Sequence, residues 1–204
     1  MPRQPATYES DRCLASPRGG REPTGRRESR GTRRKVAFLV AGAAVALFLS
    51  LSAVLFVWPA RDRAGNLHAS AILVMGGPGA RWHVALELAR EHAADVMLVS
   101  VPSVQWNCPR AHLPGVAIEC FRPRPFSTQG EARFAGREAR LHRWKSLIVV
   151  SSVPQTTRAR LRVKRCFGGA VYMVPAEPRL VTWPYEVIYE WGALAKALFW
   201  QRGC

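Results

Sequence analysis

AILVMGGPGAR, residues 71–81, is a short apolar run that ends in glycines and is followed by an arginine. Such a run, with a helical pattern directly after it, is typical of a buried strand that leads through a loop into a helix. In open α/β sheets, ligands bind at the loops that follow the carboxyl ends of the strands. This loop is therefore the first candidate site, and Gly76, Gly77 and Arg81 are its predicted ligand-binding residues.

The chain after this stretch alternates strand and helix patterns. Apolar strands separated by helices are typical of a parallel sheet covered on both faces. The predicted strands are Ala69–Met75, Val96–Val101, Val116–Cys120, Leu147–Ser151 and Ala170–Val174, and the predicted helices are Arg81–His92, Thr128–His142, Thr157–Cys166 and Pro184–Trp200. The predicted fold class is α/β: a Rossmann-like parallel sheet of about five strands with flanking helices, preceded by one transmembrane helix.

Val36–Val57 is a run of 22 residues without a charged side chain. A helix of this length spans roughly 33 Å, enough to cross the core of a bilayer. Six basic residues lie between positions 26 and 35, whereas only Arg61 and Arg63 lie close on the other side. The positive-inside rule then places the N-terminus in the cytoplasm and residues 58–204 outside, as in a single-pass plasma-membrane protein. A cleaved signal peptide, with Thr32-Arg33-Arg34 as a faint twin-arginine signal, is the competing interpretation, but the run is long for a signal core.

The net charge of +16 is unevenly distributed, with +6 in residues 1–35 and +10 in the remainder. Residues 1–35 are predicted to be a disordered basic cytoplasmic tail, residues 58–68 a linker, and residues 69–204 the extracytoplasmic α/β domain. A strongly basic chain favours anionic partners such as nucleic acid, anionic lipid or phosphorylated molecules. Nucleic acid is not expected, because the domain is predicted to lie outside the cytoplasm; the lipid bilayer is the expected partner of Val36–Val57.

The glycine loop does not match a nucleotide-binding motif. Gly77 and Gly79 fit the first two glycines of G-x-G-x-x-G, but Trp82 occupies the third position and no acidic residue ends the second strand. No Gly-Lys-Ser/Thr follows, as a phosphate-binding P-loop requires. An anion site built from loop N–H groups, the helix N-terminus and Arg81 remains, in competition with a tight turn that binds nothing. No cofactor is expected.

A second polar segment, SSVPQTTR at 151–158, lies where the fourth predicted strand gives way to a helix. Its hydroxyl, amide and guanidinium groups are those that hold phosphate or carboxylate groups. The segment shares a sheet edge with the glycine loop, so Ser151, Ser152, Gln155 and Arg158 are its predicted ligand-binding residues. Two further arginines at positions 162 and 165 continue the same helix face and are expected to form a solvated basic surface.

The order and spacing of five short elements resemble the bacterial YdcF/SanA/ElyC-like family. These elements are Gly76-Gly77 after the first strand, Arg81 in the next helix, Ser100 at the end of the second strand, Ser127-Thr128-x-x-Glu131-Ala132, and Val150-Ser151 with Arg158-Ala159. The resemblance covers roughly residues 69–174. It implies a membrane-anchored Rossmann-like domain that acts in envelope integrity and in peptidoglycan or lipid-carrier metabolism, with Ser100 and Thr128 among the ligand-binding residues.

Two positions depart from the family pattern. Many members carry histidine where Gln155 stands and glycine where Val101 stands. The loss of the histidine removes the best candidate acid or base and leaves Glu131 as the one acid predicted to be catalytic. If the protein is an enzyme, the expected reaction is transfer or hydrolysis at a phosphate-containing envelope precursor; the alternative is a binding or scaffold module without chemistry. Glu131 has a competing structural role, since it forms a capping box with Thr128 as N-cap.

No metal site is expected. His83 and Glu87 lie one helical turn apart, but the sequence offers them no third ligand.

The cysteines divide according to the predicted topology. Cys13 is cytoplasmic and free, and the other four face an oxidising compartment that suits two disulfides. Three connectivities exist for four cysteines. Cys108 with Cys120 is the local choice and leaves Cys166 with Cys204. The last helix, Pro184–Trp200, is amphipathic and packs on the sheet or lies on the membrane.

Overall fold

The computed structural model describes residues 25–62, 67–77, 80–101, 108, 111–178 and 180–204. The chain divides after Val45 into two compact units, the second of which is Ala46–Cys204. The predictions for residues 1–24, which include Cys13, and for Arg63 and Gly79 lie outside the described residues.

The first element is a long helix, α1 (Gly25–Ser52), which continues as a short π-helical segment, Ala53–Val57. Within it, Thr32–Val57 is long and apolar enough to cross a membrane, and the predicted span falls inside these bounds. Residues 25–35 were expected to be part of a disordered tail, but they are helical. They contain no proline and are rich in Arg, a good helix former, so the apolar helix extends backward into them.

The α/β domain contains five strands and four further α-helices among the described residues. They are β1 (Ala71–Val74), α2 (Arg81–Arg90), β2 (Val96–Ser100), β3 (Ala117–Phe121), α3 (Thr128–Leu141), β4 (Ser146–Ser152), α4 (Thr156–Cys166), β5 (Ala170–Ala176) and α5 (Trp183–Phe199), with a short 3-10 turn, Leu180–Thr182, before α5. All strand pairs are parallel, in the order β3-β2-β1-β4-β5. The predicted α/β fold with a five-stranded parallel sheet is confirmed.

The strand order contains a switch point between β1 and β4. The chain adds β2 and β3 on one side of β1, and then returns through α3 to place β4 on the other side. Loops that leave neighbouring strands in opposite directions open a crevice at the carboxyl edge of the sheet. The glycine loop after β1 and the polar segment after β4 border this crevice.

Both faces of the sheet are covered, which explains the continuous apolar strands. One face carries Leu73, Leu98, Val149 and Met173 and packs against Ala135 and Val163 of α3 and α4. The other face carries Ile72, Met97 and Ile148 and packs against Ala85 and Leu88 of α2. Residues 71–74 are buried without alternation, as expected of a central parallel strand.

The buried face of α5 differs from the predicted one. The periodicity predicts a face of Val187, Ile188, Trp191, Leu194, Ala195 and Leu198. The structure buries Leu194 of this face together with Glu190 and Ala197, which lie outside it, while Ile188 is 73% exposed. Because α5 is apolar on almost every side, its periodicity gives little information about which face meets the domain.

The cysteines pair as predicted. Cys108 bonds to Cys120, with Cα atoms 5.8 Å apart, and Cys166 bonds to Cys204, with Cα atoms 4.8 Å apart. The first bridge joins the segment before β3 to that edge strand. The second joins the end of α4 to the segment that follows α5. Each bridge contributes roughly 2–4 kcal/mol to stability.

Candidate functional site

A cavity of about 430 Å³ lies at the carboxyl edge of the sheet, over the switch point. Eight of the ten residues predicted to bind ligand or act as catalyst line this cavity: Gly76, Gly77, Arg81, Thr128, Glu131, Ser152, Gln155 and Arg158. They come from segments that lie as far apart in the sequence as the loop after β1 and the first turn of α4. The shared sheet edge therefore brings the two predicted polar segments together.

Helix N-termini surround the cavity. Arg81, Thr128 and Gln155 lie at or next to the first residues of α2, α3 and α4, and Tyr185 lies in the first turn of α5. Neither α2 nor α4 has a side-chain N-cap. Helix N-termini carry partial positive charge and N–H groups directed outward, so this arrangement favours an anion.

The first half of the cavity, defined as Gly76, Arg81 and Glu131, is organised around the backbone of one residue. The backbone N–H of Gly76 donates to Glu131 Oε1 at 2.7 Å, and the Gly76 carbonyl accepts from Arg81 Nη1 at 2.6 Å. A buried carboxyl and a buried guanidinium are thus fixed by the same loop residue. Both side chains are less than one tenth exposed.

Gly77 allows Arg81 to reach this position. Its φ of +127° lies in a region that favours glycine. A Cβ atom at Gly77 would also clash with the guanidinium of Arg81. The second glycine of the loop is therefore required both by its backbone conformation and by the arginine that packs over it.

Glu131 has a raised pKa. Burial raises it by disfavouring the carboxylate, and the neighbouring Ser100 hydroxyl, the Gly76 N–H group and the two arginines of the cavity lower it by less. Glu131 therefore retains its proton to higher pH than an exposed glutamate does. A carboxylic acid with a raised pKa is a candidate proton donor.

Two buried polar atoms of this region have no hydrogen-bond partner among the described residues: Arg81 Nε and Ser100 Oγ. Ser100 is close enough to Glu131 to affect its pKa, but the geometry does not amount to a hydrogen bond. Buried polar atoms are rarely left unpaired. Arg81 Nε, in a residue that lines the cavity, is a donor that a bound ligand can satisfy.

The second half of the cavity, defined as Thr128, Gln155, Arg158 and Glu190, is a closed network. Arg158 donates from Nε and Nη2 to the two carboxylate oxygens of Glu190, each at 2.7 Å. Thr128 Oγ1 accepts from Arg158 Nη1 at 2.6 Å and from Gln155 Nε2 at 3.0 Å. Burial lowers the pKa of Arg158, but the ion pair with Glu190 outweighs it, so the pKa is raised overall.

The capping prediction for α3 needs a correction. Ser127, not Thr128, is the N-cap, and its hydroxyl accepts from the N–H of Gly130. Glu131 does not reach back to the cap; its carboxyl crosses to Gly76. The start of the helix lies one residue earlier than the capping-box pattern suggests. That shift frees Thr128 and Glu131 to face the cavity.

Two predicted residues do not line the cavity. Ser100 ends β2 beside Glu131. Ser151 is fully buried, and its hydroxyl bonds to Thr156 Oγ1 at 3.2 Å and to the Ser152 carbonyl at 3.3 Å. Ser151 therefore links the end of β4 to α4.

Arg162 and Arg165 were predicted to form a solvated basic surface on α4, but they bond to the C-terminal end of α5 and the segment after it. Arg162 donates to the carbonyl and to the side-chain oxygen of Gln201, and it is only 3% exposed. Arg165 donates to the carbonyls of Ala197 and Gln201 at 2.7 and 3.0 Å. These arginines bind the carbonyl oxygens that the C-terminal end of α5 leaves unpaired. Hydropathy alone could not show that another helix ends against them.

The sequence reasoning missed the contribution of α5. Tyr185, Glu186, Tyr189 and Glu190 all line the cavity. The available signal was a pair of glutamates four residues apart in an otherwise apolar helix. A buried carboxylate needs a cationic partner, so this pair pointed to a buried site rather than to the solvent.

Among the described residues, the structure adds no third metal-binding side chain to the pair His83 and Glu87. His83 and Glu87 are both exposed on α2. In the part of the chain that the structure describes, no group of three or more His, Cys, Asp or Glu side chains could hold a metal ion.

Comparisons with protein-family models, with curated proteins and with solved structures gave no match to this chain. The residues of the cavity are therefore the basis on which a function can be assigned.

Proposed function

We propose that this chain is a single-pass membrane protein of the YdcF/SanA/ElyC type, whose extracytoplasmic domain binds an anionic or phosphorylated cell-envelope precursor. The observation that carries this proposal is the buried Arg81 guanidinium, which belongs to a residue that lines the cavity and whose Nε has no hydrogen-bond partner among the described residues. It lies at the uncapped N-terminus of α2. Guanidinium groups and helix N-termini are the protein groups that bind phosphate best.

The charges of the first half of the cavity support an anion. Arg158 is neutralised by Glu190 through two hydrogen bonds. Glu131 has a raised pKa and remains protonated over a wider pH range than usual. Arg81 hydrogen-bonds to the Gly76 carbonyl and, among the described residues, has no direct carboxylate partner, although Glu186 also lines the cavity.

The extracytoplasmic orientation rests on two independent features. The apolar helix is preceded by a cluster of basic residues, which favours a cytoplasmic N-terminus. The domain that follows it carries two disulfides, which persist in oxidising compartments.

Glu131 is the residue we propose as a general acid if the bound precursor is turned over. Its raised pKa suits donation of a proton to the oxygen that leaves a phosphate group. Arg81 would neutralise charge on the phosphoryl group in the same half of the cavity. The reaction class is transfer or hydrolysis at phosphate.

A non-catalytic scaffold that binds the same precursor is the second candidate. One observation favours it: Gln155 occupies the position where many members of the resembled family carry histidine, and its amide donates to Thr128. An amide cannot exchange a proton as imidazole does. In this function the cavity binds and presents a precursor without changing it.

A binding experiment tests the proposal. The purified full chain in lipid nanodiscs is titrated with farnesyl phosphate, alongside Arg81→Gln and the matched control Arg90→Gln on the same helix. We expect the wild type and Arg90→Gln to bind equally and Arg81→Gln to bind at least tenfold more weakly. Absence of binding by the wild type, or equal binding by all three proteins, would overturn the anion site.

Turnover separates the two candidate functions. Phosphate release from farnesyl diphosphate is measured for the wild type and for Glu131→Gln, which keeps an oxygen that accepts the N–H of Gly76. Release that is lost in Glu131→Gln supports the enzyme. Binding without release supports the scaffold.

A labelling experiment tests the orientation. On non-reducing gels of intact cells, we expect both disulfides to be formed and no thiol of the domain to react from the cytoplasmic side. Reaction of Cys108 or Cys166 with a reagent confined to the cytoplasm would reverse the proposed topology.

A further inference from the structure

Exposed apolar side chains are concentrated around α5. Among the described residues after Val57, ten large hydrophobic side chains are exposed, and seven of them lie between Val181 and Trp200. Soluble surfaces carry such residues singly rather than as a contiguous patch. A surface of this composition marks an interaction site.

The outer face of α5, defined as Tyr185, Ile188, Tyr189, Gly192 and Phe199, is a stripe at helical spacing that is interrupted by Lys196. All five residues are exposed. The opposite side of the helix packs on the domain, and Lys196 is the single exposed charge in α5, all of whose residues are described. The combination of tyrosines and aliphatic residues with few charges is typical of a helix in the interfacial layer of a membrane.

The position of α5 favours the bilayer as the occupant of this face. The Trp191 ring stacks on Phe48 and meets Phe56 edge-on, with ring centroids 5.3 Å apart in both pairs. Its indole N–H donates to Ser52 Oγ at 2.9 Å. These three partners belong to the segment that is long and apolar enough to span a membrane. A side chain of α5 that contacts Phe48 therefore reaches the depth of the lipid.

The cavity lies on the same side of the domain. Thr157, in the first turn of α4, donates to the carbonyl of Leu55 at 2.6 Å, so the last turn of the apolar segment ends at the carboxyl edge of the sheet. Tyr185 and Tyr189 belong both to the outer face of α5 and to the lining of the cavity. The outer face of α5 and the cavity thus share these two side chains.

We infer that the outer face of α5 lies in the interfacial layer of the bilayer, as a second membrane contact beside the spanning helix. The apolar side chains enter the boundary between headgroups and acyl chains, and the tyrosine hydroxyls remain at the headgroup level. This contact holds the cavity at the lipid surface. The inference does not depend on what the cavity binds.

Fluorescence quenching tests this contact. In a Cys13→Ser background, in which the other four cysteines are paired, Ile188→Cys carries a bimane label. Leu141→Cys is the matched control, because Leu141 is also exposed, at 68%, but lies at the end of α3. The full chain is reconstituted into vesicles that contain lipids with a nitroxide on the acyl chain, and a parallel series uses aqueous iodide.

We expect nitroxide lipids to quench the Ile188 label at least twofold more than the Leu141 label, and iodide to show the reverse order. Equal iodide quenching at both sites, without quenching by lipid, would overturn the inference. Protection of the Ile188 label from both quenchers would also overturn it, because a protein partner or a second copy would then cover the face. Neither substitution removes a buried side chain, and retention of both disulfides on non-reducing gels verifies the fold.

Discussion

The two halves of the cavity contain the same pair of charges in different arrangements. In the second half, Arg158 and Glu190 meet directly through two hydrogen bonds of 2.7 Å. In the first half, Glu131 accepts from the N–H of Gly76 and Arg81 donates to its carbonyl, and the two side chains form no direct ion pair. Each half therefore fixes one buried arginine and one buried glutamate.

This difference separates a structural network from a site with unused bonding capacity. The ion pair of the second half satisfies both partners and ties α5 to α4 across 32 positions of sequence. The first half retains a donor on Arg81 that has no partner among the described residues, and a carboxyl whose pKa is raised by burial. We therefore expect substitutions in the second half to affect mainly stability, and those in the first half to affect mainly binding and pH dependence.

The largest predicted effect is on stability, from Glu190→Gln. This change leaves the Arg158 guanidinium buried without its carboxylate, and breaking a buried ion pair in this way costs about 3–5 kcal/mol. Glu186→Gln is the control, since Glu186 is half-buried and accepts a hydrogen bond from Thr182 in the turn before α5. We expect that control to lose less than about 1 kcal/mol. The free energy of unfolding in detergent, from denaturant titration, measures both; equal losses would show that the second half is not a closed network.

The second-largest predicted effect is on binding affinity, and it is measured by comparing Arg81→Gln with Arg158→Gln. Loss of a charge-assisted contact to phosphate reduces affinity by about ten- to a hundredfold, or about 1.4–2.8 kcal/mol. We expect that loss of farnesyl phosphate affinity from Arg81→Gln with little change in stability, whereas Arg158→Gln unfolds at lower denaturant concentration. Calorimetric titration and denaturant midpoints on the same samples test this division. If Arg158→Gln abolished binding and Arg81→Gln did not, the second half of the cavity, and not the first, would be the binding site.

The third effect concerns pH and Glu131→Gln. Because burial raises the pKa of Glu131 in the folded state, the folded protein binds more protons than the unfolded chain between the two pKa values. Stability then falls as the pH rises from the unfolded value, near 4.5, through the folded one. Each unit of difference between the pKa values corresponds to about 1.4 kcal/mol.

Glu131→Gln removes this titration and retains the acceptor for the Gly76 N–H. We expect the variant to gain stability relative to the wild type as the pH rises above 5. Thermal midpoints measured between pH 4 and pH 8 at one scan rate test this. Parallel pH profiles for the two proteins would mean that folding does not raise the pKa of Glu131.

Much of the first half was predictable from local sequence. A strand that ends in Gly76 and Gly77 and is followed by Arg81 is a contiguous signal, and parallel strands place their carboxyl ends at one edge. The same reasoning brought Gln155 and Arg158 to that edge. Fold class follows from the same alternation, since continuous apolar strands require helices on both faces.

The second half was only partly predictable, because its completion depends on packing. Nothing near Arg158 in the sequence indicates that Glu190 is its partner. The side of α5 that carries Glu190 could not be read from periodicity in a helix that is apolar on almost every side. Glu131 shows the same limit: its spacing from Thr128 fits a capping box, and only the approach of the Gly76 loop draws its carboxyl away.

The smallest predicted effect compares one hydroxyl beside each half, in Ser151→Ala and Ser100→Ala. Ser151 Oγ bonds to Thr156 and to the Ser152 carbonyl, so its removal costs about 1 kcal/mol of unfolding free energy. Ser100 Oγ is buried without a hydrogen-bond partner among the described residues, so its removal relieves an unpaired group and costs less than about 0.5 kcal/mol. Denaturant titration resolves the difference, since both changes remove one oxygen from a buried serine. A loss from Ser100→Ala as large as that from Ser151→Ala would mean that the Ser100 hydroxyl is hydrogen-bonded in the folded protein.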